Sequence, residues 1–121
     1  MKLLDVSERN RRPMIFSDAD AFERLRERGY VLTARASEHD ERPVWIRRTR
    51  NGEKEFDAVR YHVGEFEWAE FVSKIAHPLH DRAGFETGSE WCDRIVELQG
   101  ERPERVYVYS VVRREQEDGE I

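Results

Sequence analysis

Cysteine is nearly absent from this chain: Cys92 stands alone among 121 residues, so no disulfide can close within it. Lysine is almost as scarce. Of 21 basic residues, all but Lys2, Lys54 and Lys74 are arginine. No apolar run approaches the roughly 20 residues that span a bilayer as a helix; the longest, Val106 to Val112, is interrupted by Ser110. Lys2, Leu3 and Leu4 are not followed by an extended apolar segment, which argues against a secretory leader. Together these absences point to a reducing, cytoplasmic setting and away from membranes. Also missing are a phosphate-cradling glycine loop, a dinucleotide fingerprint and a Ser-His-Asp signature, so no cofactor is expected.

What is present is charge. Charged residues make up 39% of the chain against 38% hydrophobic, the mean hydropathy is −0.87, and the net charge is −5. The length suits one domain that buries about two-thirds of its unfolded surface. Three Trp, four Tyr and six Phe supply large buried areas for a small core. An acidic balance is unusual for a nucleic-acid binder. The preference for arginine has two readings. It reflects coding bias or a salt-adapted surface, or else selection for guanidinium, which forks onto phosphate and stacks on bases.

Residues 1–13 read as a polar N-terminal extension, 14–113 as the domain and 114–121 as a charged C-terminal tail. A first helix is expected from an N-cap at Ser17 to a stop at Gly29, with Asp18 and Asp20 early and Arg24, Arg26 and Arg28 late, as the helix dipole favours. Extended stretches follow at Tyr30 to Ala36, Val44 to Arg48, Val59 to Val63 and Phe66 to Ile75. Arg50-Asn51-Gly52 suits a tight turn between the second and third. Ala76 to Gly84, which contains Pro78, reads as a loop. Thr87 and Glu90 form a capping box for a second helix carrying Trp91, Ile95 and Leu98 and ending at Gly100. Arg105 to Val112 is apolar on both faces, as a central strand requires. The class is α+β, with about five to six mostly antiparallel strands expected to curl into a barrel flanked by two main helices.

Several of these features occur together in a known arrangement. Thr33-Ala34-Arg35 follows a helix-ending glycine; Gly84-Phe85 precedes a capped helix with Glu90-Trp91; Gly100 ends it; Val106-Tyr107-Val108-Tyr109 forms the last strand. Over residues 14–113 this resembles the ASCH domain family of the PUA-like superfold. The resemblance implies a β-barrel with an RNA- or nucleotide-binding cleft beside the Thr-x-Arg strand. Some bacterial members remove the acetyl group of N4-acetylcytidine with a Lys, a Thr and a Glu. Thr33 matches that Thr, while Tyr30 and Ala83 stand at the Lys and Glu positions. The chain is therefore expected to bind without catalysing, with no catalytic residue assigned.

On an extended strand Thr33 and Arg35 point the same way and can hold a phosphate or carboxylate. The plainer reading is a surface arginine paired with an acid. Arg42, Arg47, Arg48 and Arg50 form the most basic stretch of the chain, with Trp45 among them. An indole beside a guanidinium can stack a base, which is worth roughly 1–3 kcal/mol; alternatively Trp45 packs in the core. The nucleic-acid-binding set is thus Thr33, Arg35, Trp45, Arg47, Arg48 and Arg50. His77 and His80 lack a metal-ligand pattern, and no metal is expected. Cys92, Tyr107 and Tyr109 read as core. The alternatives are a hydrolase of a modified nucleoside, using Thr33 with Asp81 or Glu86, and a protein-interaction module.

Overall fold

Helix α1 (Ala19–Arg28) begins where the Asp18 carboxylate accepts the N–H groups of Asp20 and Ala21 at 2.9 and 3.1 Å. Gly29 ends it at φ 87°, donating its N–H to the Leu25 carbonyl at 3.0 Å. The cap is Asp18, one residue later than the Ser17 expected from sequence. A carboxylate serves the helix dipole better than a hydroxyl, and Asp18 also pairs with Arg94.

The structure, a computed structural model, describes residues 12–114. The strands are β1 (Arg12–Ile15), β2 (Tyr30–Arg35), β3 (Arg42–Arg47), β4 (Phe56–Glu67) and β5 (Arg105–Arg113). They form a five-stranded mixed sheet in the order β1-β3-β4-β5-β2. The β1–β3 pairing is parallel and the other pairings are antiparallel. β1 was hidden in sequence because only Met14 of its short Arg-Pro-Met-Ile run is buried. β5 lies between β4 and β2, in the interior position its apolar faces require.

The stretch Phe66 to Ile75 is not a strand. β4 ends at Glu67 and helical structure begins: α2 (Trp68–Phe71), a π-helical turn (Val72–Ala76), α3 (His77–Leu79) and a 3₁₀ turn (His80–Ala83). Trp68, Phe71, Val72, Ile75 and Ala76 recur at helical spacing and all join one apolar cluster. That periodicity outweighs the aromatic content that suggested a strand. Pro78 opens α3 directly after the π-helical turn, where the helical ladder is already irregular. The final helix α4 (Gly88–Gln99) has the expected Thr87 cap, with Oγ1 accepting the Glu90 N–H at 3.0 Å. Among the described residues no helix is long and apolar enough to cross a membrane.

The sheet carries an apolar cluster on each face. Met14, Val31, Val44, Ile46, Ala58 and Val111 pack on one face against Phe16 and α1's Ala21, Phe22 and Leu25. Leu32, Val106 and Val108 pack on the other against Phe71, Ile75, Ala83, Phe85, Trp91 and Ile95. A β-bulge between His62 and Gly64 reverses the alternation of β4. Phe66 thereby joins the second cluster. β1 and β2 are the two edges of the sheet, and no backbone ladder closes it into a barrel. The edges nevertheless approach, because the Arg35 guanidinium of β2 donates to the Ile15 carbonyl of β1 at 3.3 Å.

Candidate anion-binding site

The α1-covered sheet face changes character along its strands. Past the apolar cluster, the same face carries Thr33 and Arg35 on β2, Tyr109 on β5, Arg60 and His62 on β4 and Arg42 on β3. Register places Thr33 opposite Tyr109, Tyr109 opposite His62, and Arg42 opposite Arg60. Alternation along each strand turns these residues toward one side. Thr33 and Arg60 are the polar residues buried in the core, at 8% and 6% exposure, and Tyr109 is fully buried.

Arg35 donates from Nε to Thr33 Oγ1 at 3.3 Å and lies over the Phe16 ring, 5.2 Å from its centroid. Its acceptors are thus neutral, and among the described residues no carboxylate pairs with it. Arg60 donates from Nε to the Asp40 carbonyl oxygen at 3.0 Å, and its Nη2 is 3.5 Å from Asp40 Oδ1. Its guanidinium sits 5.9 Å from the Tyr109 ring centroid. Arg42 and Arg60 would repel as cross-strand neighbours. Asp40 bridges them, accepting from Arg42 Nη2 at 2.8 Å with its other oxygen.

The connection between β2 and β3 is tied down over this end of the sheet. The His39 N–H donates to Tyr109 Oη at 2.5 Å, and Glu41 Oε2 accepts the His62 N–H at 2.9 Å. The His39 and His62 rings meet the Tyr109 ring edge-on, at centroid distances of 6.1 and 5.5 Å.

The local field is that of crowded cations. Burial, reinforced by the charge of Arg60, pushes the Arg35 guanidinium down to about 10, so it stays charged at neutral pH. Arg60 is also lowered by burial, against the pull of Asp40. Burial lowers His39, and the charges of Arg60 and Arg35 add to that. Asp40 is held below the usual carboxylate range by its hydrogen bond from Arg42. Burial raises the Tyr109 phenol. Removing two guanidiniums from water disfavours their charged forms, and an incoming anion relieves that penalty.

The structure divides the residues singled out in the sequence. Thr33 and Arg35 are together on the α1-covered face. Trp45 and Arg47 lie on the opposite face, where the Arg47 guanidinium stacks on the Trp45 ring at 5.1 Å. Arg48 follows β3 and donates to the carbonyls of Phe16 and Ser17 at 2.9 and 3.5 Å, over the Phe22 ring. It fastens the β1–α1 connection. Arg50 is exposed in the turn before β4. Sequence reasoning missed Arg60, Tyr109, His39 and His62 as members of this site. Period-two alternation through Ala58, Arg60 and His62 was the available signal, since it puts an arginine two residues from a core alanine.

His77 is exposed, and the His80 ring is 2.8 Å from the Phe85 carbonyl oxygen. Among the described residues no group of three or more His, Cys, Asp or Glu is placed to hold a metal ion. Comparison with models of protein families, with curated proteins and with solved structures found no match to this chain.

Proposed function

We propose that the chain is a PUA-like domain of the ASCH kind that binds RNA or a nucleotide and does not catalyse a reaction on it. The observation that carries this reading is Arg35, charged, half-buried and without a carboxylate partner among the described residues, beside the Thr33 hydroxyl. A structural arginine at a partly buried position is ordinarily paired with an acid. One left with neutral acceptors is suited to an anion that arrives from outside. The five curled strands, whose edges meet through Arg35, support the PUA-like assignment.

The absence of catalysis rests on two positions. Tyr30 lies on the sheet face opposite Thr33, with the Arg24 guanidinium 4.9 Å from its ring. Ala83 is buried in the second apolar cluster, on that same opposite face. Neither brings an amine or a carboxylate to Thr33. Asp81 and Glu86 are exposed and flank Ala83 and Phe85, so they too belong to the covering of the other face. Cys92 is half-buried and its thiol is raised by burial, which makes it a poor nucleophile.

The test is fluorescence anisotropy of a short single-stranded RNA over a series of salt concentrations. Binding through one or two phosphates weakens with a log–log slope of about −0.7 to −1.4. Arg35→Ala abolishes it. Salt-independent binding, or binding unchanged in Arg35→Ala, overturns the proposal.

A further inference from the structure

We infer that the outer edge of β4 from Tyr61 to Glu67 docks an extended, basic segment of a partner polypeptide, which adds to the sheet as a further strand. This goes beyond the nucleotide reading and does not depend on it.

The pairing of the sheet creates the edge. β3 accompanies β4 only as far as Arg42 opposite Arg60, whereas β4 runs on to Glu67 with β5 alone beside it. Among the described residues no strand lies along the other side of that continuation. The His62 N–H, just past the last β3 pair, is met by the carboxylate of Glu41 at 2.9 Å instead of by backbone. Tyr61, His62, Val63, Glu65 and Glu67 are all exposed. The backbone groups of this stretch that alternate away from β5 are therefore a template for strand addition.

The chemistry of the edge selects its occupant. Glu65 and Glu67, opposite Tyr107 and Arg105, lie toward the α1-covered side, and Tyr61, opposite Ser110, lies toward the other. Tyr61 and Val63 are 43% and 47% exposed. A guest strand alternates in the same way, so it fits with cations beside Glu65 and Glu67 and apolar side chains beside Tyr61. Two copies of this edge paired with each other would bring like carboxylates together. What repels a second copy of the chain attracts a strand of opposite charge.

At its far end the edge reaches a cleft of about 430 Å³, lined by Glu67, Trp68, Pro103 and Glu104 together with Arg102 and Arg105. Arg105 is held by Glu65 at 3.1 Å. Among the described residues neither Glu67 nor Glu104 has an ion-pair partner. A Lys or Arg of the guest can lay its stem on Trp68 and Pro103 and bring its charge to these carboxylates.

The experiment titrates the isotope-labelled chain with short peptides and reads amide shifts and hydrogen exchange residue by residue. One peptide alternates Lys and Val, another alternates Glu and Val, and a third is the Lys-Val peptide with alternate backbone nitrogens methylated. The Lys-Val peptide is expected to shift and protect amides between Tyr61 and Glu67. The methylated peptide, which cannot pair along that edge, and the Glu-Val peptide are expected to leave them unchanged. The double variant Glu65→Lys, Glu67→Lys is expected to weaken the Lys-Val peptide about tenfold and to take up the Glu-Val peptide. Should it not fold, the contrast among peptides on the wild-type chain decides. Equal binding of basic and acidic peptides, binding of the methylated one, or shifts confined to other residues overturns the inference. Slow exchange of these amides in the free, dilute chain would show the edge already covered and overturns it too. Concentration-dependent shifts there without peptide would give the edge to a second copy and exclude the basic partner.

Discussion

Arg35 donates to the carbonyl oxygen of Ile15 at 3.3 Å, so a side chain at the end of one edge strand holds the backbone of the other. The same guanidinium therefore ties the two edge strands together and charges the face between them. Arg35→Ala is expected to lower stability by about 1–2 kcal/mol, the worth of a charged donor to partly buried acceptors, while eliminating ligand binding. Arg35→Lys restores charge without the fork and should recover little affinity. Urea denaturation alongside the anisotropy titration separates the two effects.

Glycines 84 and 100 both adopt positive φ, at 94° and 84°, but their surroundings differ. A Cβ on Gly84 would lie 2.6 Å from the Asp20 carbonyl oxygen, whereas nothing lies within 4 Å of one on Gly100. Gly100→Ala should cost about 1 kcal/mol, the left-handed penalty alone. Gly84→Ala should cost clearly more, since α1 must move away from the 3₁₀ turn. Thermal denaturation of the two variants ranks them.

Tyr109→Phe deletes the acceptor for the His39 N–H while retaining the buried ring. The cost in stability is about 1 kcal/mol. The larger consequence is local: residues 36–41 lose one of their ties to the sheet. Amide hydrogen exchange should accelerate there and stay unchanged in α4.

His39 links the site to pH. Its pKa lies below 6.5 because of burial and the charges of Arg60 and Arg35, with Asp40 opposing them. In the free protein, the unfolded chain binds the proton more readily, so this group's contribution to stability is full above about pH 6.5 and declines as pH falls toward the folded value. An anion that neutralises Arg35 and Arg60 removes the part of the lowering that their charges cause and so favours protonation of His39. Sulfate, which stays dianionic, should therefore bind more tightly as pH falls from about 7.5 to about 5.5. His39→Ala should flatten that dependence, as calorimetry in two buffers of different ionisation heat would register.

The parts of the fold legible in the sequence are those fixed by local chemistry. Gly29 and Gly100 end their helices and Thr87 starts one, because caps depend on a few neighbouring residues. Trp68 to Ala76 was obscured since its aromatics suit a strand as well as a helix, and only its spacing discriminates. Thr33 and Arg35 could be paired because alternation within one strand is a local rule. Trp45 and Arg47 seemed to belong with them by charge. Which face of the sheet they occupy depends on the register of β3 against β4, where Trp45 faces Asp57. Arg60 is the converse case. Glu53, Glu55 and Asp57 separate it from the basic stretch in sequence, yet pairing with Arg42 and cover from Asp40 make it the most deeply buried charge among the described residues.

The most direct measurement is a crystal structure of the chain with adenosine monophosphate bound. The account predicts the phosphate on the α1-covered face, within hydrogen-bond distance of the Arg35 guanidinium. A phosphate held instead at Trp45 and Arg47 on the opposite face would contradict it.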